Sequence, residues 1–440
     1  MKIGFKVFSN MVLSVLAGIV IMVITCEGSA FAADNLTAGA AKAEITPSEE
    51  DFESGHVYLG GYGGPWSRRA DGAWDDIYAR ALAISDGNET FVVLSLGVTG
   101  ISNVQIKQIE KKISSAAEVP TGNIVITVTH THGGPDLQGI FGGSHEEYRA
   151  YVRKQAAKAA AEAVASAEPA VITMARKTAR GLVRNRRGGE HLDENLYVLQ
   201  AGNRQSGEVI ATSVIFGAHS NITDGSCTKI SPCFTGGLAA RLEEVYGGVG
   251  MFLPGVMGDQ NPITEDIDCG HRRAIAYGER IAEEAVAALS KDNEYQDTYK
   301  ELAVRPSSAL IPLNVQNRRY TAAWMLGILD YDLEVEFRAG APSNYVPDVK
   351  LSYIRLGDEI LIRTMPGETL SGAGVEMQRQ AEPLEYRYTP VLSLANDNLG
   401  YLVSQGEWHE DGYEESMSVG KNAVPKILKT YQKIVDSERN

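Results

Sequence analysis

The sequence predicts an α/β fold of mixed, twisted β-sheets flanked by helices and carried by one large domain. Short apolar runs rich in β-branched residues alternate with stretches of helical period, the pattern of sheets covered by helices. No internal repeat and no Pro- or Ser-rich linker divides the 440 residues. The chain exceeds the usual size of a compact domain but stays within the range of large α/β folds.

Taken in order, residues 1–32 read as an export signal. Lys2 and Lys6 give a positive start, 11–25 is almost wholly apolar, and Ala30-Phe31-Ala32 supplies the small-x-small pattern that signal peptidase cuts. The apolar run is shorter than the ~20 residues of a spanning helix, so no stable membrane span is expected once it is removed. Cys26 as a lipidation site is the rival, and Thr25 suits that poorly. The domain then runs over 33–440, in a periplasmic, cell-surface or secreted protein. Buried strands are expected at 91–96, 124–128, 171–174, 209–216 and 251–253, with a second group at 351–355, 360–363 and 390–394. Helices are expected at 146–167, 237–245, 272–289, 370–379 and 424–435. The stretch 292–344 is less regular and more aromatic, as an inserted hairpin or a lid would be.

Charge and cysteines narrow the function. The formal net charge is −15, and removing Lys2, Lys6 and Glu27 takes away a net +1 to leave −16. Such a body repels nucleic acid and anionic membranes. Cys227, Cys233 and Cys269 remain after the signal, an odd count that permits one disulfide. Cys227 with Cys233 could staple the loop after His219; three reduced thiols are the alternative. Without a Cys-x-x-Cys pair, a thiolate zinc site is not expected.

The sharpest local signal is Thr129-His130-Thr131-His132-Gly133-Gly134-Pro135-Asp136. A buried strand runs into two imidazoles and a Gly-Gly-Pro turn, at the carboxyl end of a strand where sites in α/β sheets assemble. Residues at i and i+2 share a face while the strand stays extended. One imidazole can then bind a metal while the other faces substrate. The run 213–217 likewise delivers His219. Glu368, in Pro366-Gly367-Glu368, follows a third strand and is placed at the start of a helix, where the dipole favours a carboxylate. Two histidines and a carboxylate form a known catalytic zinc set with an open position. Satisfied polar residues in turns are the alternative for each.

These motifs resemble the neutral/alkaline, non-lysosomal ceramidase family, specifically its N-terminal catalytic domain. The resemblance extends from Ala38-Gly39-Ala40-Ala41-Lys42-Ala43-Glu44-Ile45-Thr46-Pro47 through Gly60-Gly61-Tyr62-Gly63 and Tyr78-Ala79-Arg80-Ala81-Leu82. It continues through the double-histidine motif and Gly258-Asp259-Gln260-Asn261-Pro262 to Pro366-Gly367-Glu368 and Asn396-Asp397-Asn398-Leu399-Gly400-Tyr401. It implies one zinc ion per chain, held by His130, His219, Glu368 and Tyr401. His132 then matches the acid/base or substrate-polarising residue, Tyr413 a second active-site tyrosine, and Arg186 the active-site arginine. Gly134 and Asn261 are expected at the substrate. Ceramidases proper carry serine in the segment that holds Asn261 here, and their C-terminal immunoglobulin-like domain has no counterpart expected in this chain.

The resemblance therefore implies an exported hydrolase that cleaves the amide of ceramide or a related N-acyl compound with metal-activated water. Another amide or an ester is the rival substrate, and a non-catalytic binding protein on the same scaffold the rival class. The partner is a small-molecule or lipid N-acyl substrate; oligomeric state is not legible.

Overall fold

Two curled sheets share the work of placing the site. The structure, a computed structural model, describes residues 35–265, 270–338 and 341–439; the stretch 1–32 expected to be a signal, and Cys269, lie outside them. Ala32–Asn440 forms one compact unit. Its larger sheet runs in the order Val249–Pro254, Val209–Phe216, Asn195–Asn203, Glu168–Thr178, Thr37–Glu44, Tyr78–Ser85, Thr90–Leu96 and Ile124–Val128, with Gln296–Tyr299 paired to Glu168–Thr178. Neighbours are antiparallel except at the two ends, where 209–216 with 249–254 and 90–96 with 124–128 are parallel. Parallel strands need crossover connections, and helices Asn103–Ala117 and Phe234–Tyr246 lie within these two.

The sheet's edges approach each other. The Ser95 hydroxyl donates to the Phe252 carbonyl at 2.8 Å. The segment 393–396 crosses both edges: Ser393 N donates to Pro254 O (2.8 Å) and Asn396 N to Ile126 O (2.7 Å), while Thr127 Oγ1 donates to Ser393 O (3.0 Å). This closure brings the ends of strands 124–128 and 209–216 together, although five strands separate them in the sheet.

The second sheet holds Val304–Val315, Ala341–Leu356, Ile360–Thr364 and Val391–Leu392, with Glu334–Arg338 on Ala341–Leu356. The irregular stretch 292–344 thus supplies strands of both sheets and the helix Arg318–Met325, rather than a detached hairpin. Helix Ser371–Ala381 begins three residues after Glu368, and Ala423–Arg439 packs beside it through Ile427 and Tyr431. No helix of the described residues is long and apolar enough to cross a membrane.

Candidate metal and active site

The strand Ile124–Val128 stops two residues before His130, which adopts the left-handed conformation (φ 56°). That backbone is uncommon for a residue with a Cβ, and such strain concentrates at functional sites. The pairing of His130 with His132 therefore comes from a turn, not from the extended strand expected. The turn is fastened to the loop that carries the third histidine: His132 N donates to Ser220 O (2.9 Å) and Thr131 Oγ1 to Ser231 O (2.7 Å). His219 N is held by Gln260 O (2.9 Å).

His130, His132 and His219 are buried, with ring centres 4.9–5.1 Å apart and rings crossed at 76–79°. One nitrogen from each lies within 4.8 Å of the others. His130 Nδ1 lies 2.7 Å from Thr99 O. A carbonyl only accepts, so Nδ1 carries a proton towards it and Nε2 is the nitrogen turned to Glu368. His219 Nδ1 faces Met257 O at 3.4 Å, with the same polarity. Burial first, then neighbouring His130, holds the pKa of both His132 and His219 well below the ordinary imidazole value. They are neutral at pH 7, the form that binds metals.

Glu368 reaches the same point by a short parallel pairing in which Glu368 stands opposite Tyr401. Its Oε2 lies 3.4 Å from His130 Nε2 and 3.8 Å from His219 Nε2, and is buried without a hydrogen-bond partner. Two imidazole nitrogens thus converge on a buried carboxylate oxygen that has no hydrogen-bond partner, which fits a cation. Glu368 does not start a helix, as the sequence suggested. The acid that caps Ser371–Ala381 is Asp259, whose Oδ1 accepts from Ser371 N (2.9 Å) and Oγ (2.7 Å).

His132 Nε2 lies 3.1 Å from His219 Nε2, and its Nδ1 is unpartnered. The edge of Tyr62 packs on it, ring centres 4.7 Å apart. Gly61 (φ 90°) leaves the room: a Cβ there would lie 2.2 Å from His132 Cγ. Arg68 donates through Nη1 to both Gly60 O and His132 O (2.9 Å each), tying the Gly60-Gly61-Tyr62 motif to the histidine turn.

Opposite the histidines, the guanidinium carbon of Arg186 lies 5.2 Å from the Tyr401 ring centre and 5.9 Å from that of Tyr413. Burial opposes the charge of Arg186, but Tyr401, Glu368 and Glu414 outweigh it and raise its pKa above the ordinary arginine value. Its Nη2 is buried and unpartnered. Tyr401 is buried, and Tyr413 is 61% exposed at the mouth. Together these groups line a cavity of about 190 Å³, with Gln138, Ile140, Phe141, Asn221, Tyr320 and Asn398 on its other walls.

Two expected substrate contacts do not line it. Gly134 lies behind the turn, where its carbonyl accepts from Gly60 N and Thr99 Oγ1; a Cβ there would sit 2.7 Å from Thr131 Cγ2, so the glycine serves packing. Asn261 is one residue removed, its Oδ1 accepting from Asn221 Nδ2 (3.2 Å). The Cys227–Cys233 disulfide is absent: both are free thiols. Cys227 Sγ turns to the Lys229 backbone, while Cys233, at φ 53°, is buried where it leads into helix Phe234–Tyr246. Tyr62, Gln138, Asn221 and Tyr320 were not singled out from the sequence as site residues. For Tyr62 the neighbouring glycine pair was a usable signal; the others arrive only through tertiary closure.

No protein-family model and no curated protein matches this chain. Among solved structures it is similar to the neutral ceramidase from Pseudomonas aeruginosa, at a TM-score of 0.71 and 16% identity, over 91% of this chain and 73% of that one. It is also similar to a ceramidase complexed with C2, at a TM-score of 0.73 and 15% identity, over 92% of this chain and 75% of that one. The chain has the ceramidase-like fold.

Proposed function

We propose that the protein is an exported zinc-dependent hydrolase that cleaves the amide of ceramide or a related N-acyl compound. One observation carries the reading: His130 Nε2 and His219 Nε2 converge on Glu368 Oε2 in a buried space, and that carboxylate oxygen has no hydrogen-bond partner. A carboxylate oxygen held out of water without a hydrogen bond is costly unless a cation meets it. Imidazole and carboxylate without thiolate favour zinc. His130, His219 and Glu368 would hold the ion, with Tyr401 completing the set. When bound, zinc supplies Lewis acidity to a carbonyl and lowers the pKa of a water from about 15.7 towards ~7.

The chain's own groups do the rest. His132 is neutral and within the cavity, so its imidazole can take up a proton and deliver it to the leaving amine. Arg186, with Nη2 unpaired, and the Tyr413 hydroxyl are donors for the oxyanion that develops on the substrate carbonyl. Ile140 and Phe141 form the apolar wall for an acyl group.

Metal analysis of the purified chain with a hydrolysis screen tests this. About one zinc per chain, lost together with turnover in His130→Ala and His219→Ala, is expected. Full zinc occupancy in both variants would refute the ligand set. A second reading, hydrolysis of a smaller amide or ester, draws on the cavity of about 190 Å³, below the roughly 300–1,000 Å³ of most ligand sites. A screen over short- and long-chain N-acyl amines, ceramides and esters separates the two. Metal without turnover on any of them supports a binding protein instead.

A further inference from the structure

Arg186 and Tyr413 come from segments more than 220 residues apart, and an ionic clasp outside the cavity joins them. Arg186 and Arg187 follow the short strand Val183–Asn185; Glu414 and Glu415 sit in the four-residue helix Tyr413–Ser416. Arg186 Nε donates to Glu414 Oε1 at 3.0 Å. Arg187 Nη1 lies 3.4 Å from Glu414 Oε2, and its Nη2 donates to Glu415 Oε1 (2.8 Å) and Glu407 O (2.9 Å). Glu415 Oε1 also accepts from His409 N (2.9 Å). The glutamates are 8% and 1% exposed at their side chains and the arginines 20% and 13%. These pairs are partly removed from water, where ionised hydrogen bonds are strongest and most directional.

We propose that Glu414 is a positioning residue for the oxyanion side of the site, a role that rests on the hydrolase reading above. Its carboxylate takes the Nε–H of Arg186 and so, together with the Tyr401 hydroxyl, sets the angle of the guanidinium at the cavity wall, with Nη2 left unpaired. Being in the same four-residue helix as Tyr413, it ties the segment that carries that ring to Arg186 at the same time. So short a helix has no length to hold itself and depends on tertiary contacts. Arg187 and Glu415 brace the helix without touching Arg186.

The test uses the purified full chain with two readouts. Phenylglyoxal labelling followed by peptide mass analysis reads how freely Arg186 moves and needs no turnover. Glu414→Ala is expected to label at Arg186 about ten times faster or more, and Glu414→Gln, which keeps an acceptor but not the charge, about three times faster. Glu415→Ala is expected to speed labelling of Arg187 and leave Arg186 unchanged. On turnover, Glu414→Ala should lower kcat about tenfold to a hundredfold with KM within about threefold, and far less in an Arg186→Ala background. Wild-type labelling of Arg186 in Glu414→Ala, or equal kcat losses in both backgrounds, overturns the proposal. Should Glu414→Ala not fold, wild-type labelling in Glu414→Gln overturns it. A wild-type chain that hydrolyses no amide counts against the hydrolase reading, while the labelling result still decides the positioning.

Discussion

Asp136 offers the sharpest quantitative test of how the cavity wall is built. Its buried carboxylate accepts four main-chain amides: Gln138 N (2.9 Å) and Gly139 N (3.0 Å) on Oδ1, Phe141 N (2.7 Å) and Gly143 N (3.1 Å) on Oδ2. The loop that carries Ile140 and Phe141 into the cavity is thus wound around one side chain. Asp136→Asn keeps the shape but can accept on one atom only. Its amide nitrogen then faces two N–H donors, so two bonds are lost. A hydrogen bond to a charged group contributes ~1.5–3 kcal/mol, which gives ~3–6 kcal/mol for two. Burial, the largest influence, raises the carboxyl pKa despite the four amides. The ionised form is already disfavoured, and the lower end, about 3 kcal/mol, is the expectation. Because the bonds are local, the loop opens before the domain unfolds. Amide hydrogen exchange at 138–143 should quicken roughly a hundredfold, the denaturation midpoint should fall, and KM for an N-acyl substrate should rise. Wild-type exchange across the loop, with stability changed by less than ~0.5 kcal/mol, would refute the reasoning.

Further expectations concern the ligands and the pH response. Gly61→Ala drives a Cβ into the His132 ring and should cost about a hundredfold or more in turnover; retained zinc assigns His132 to proton transfer, whereas lost zinc makes it a ligand. Tyr401→Phe should weaken zinc binding by about tenfold to a hundredfold if the phenol is a ligand, measured by competition with a chelator, and unchanged affinity removes it from the set. Burial pushes the Asp397 carboxyl up to about 7, so the folded chain holds a proton that the unfolded one, with an ordinary value of ~3.9, has released. The stability this proton lends is complete below pH ~4 and is lost as pH rises to ~7, by up to about 4 kcal/mol. Urea titrations should show that slope in the wild type and a flatter profile in Asp397→Asn.

How much of this was legible in the sequence depended on how local the cause is. The strand Ile124–Val128 and its two histidines could be read directly, since burial on both faces leaves a continuous β-branched run. His219 followed from the same logic. The strand Thr37–Glu44 could not be read as a strand, because Thr-Ala-Gly-Ala-Ala-Lys-Ala-Glu carries helix-forming alanines. Its small residues answer to a tertiary demand: a Cβ on Gly39 would lie 2.1 Å from Ala163 O, so the strand lies directly against helix Glu146–Ala165. Packing there overrides propensity. The same distinction governs the site. Glu368 announced itself by the Pro-Gly turn, yet its neighbour Tyr401 is set by a two-residue pairing that no local pattern encodes. Arg186 stood in a basic run that a solvated face would also produce. What separates it from Arg180 or Arg184 is Glu414, 228 positions away, and such a partner is found only once the chain closes. The residues that touch the reacting atoms are therefore visible as chemistry at strand ends, while the residues that aim them are visible only as geometry. That division is why the clasp at Glu414, rather than another ligand, is where the structure adds most to the reading of the chain.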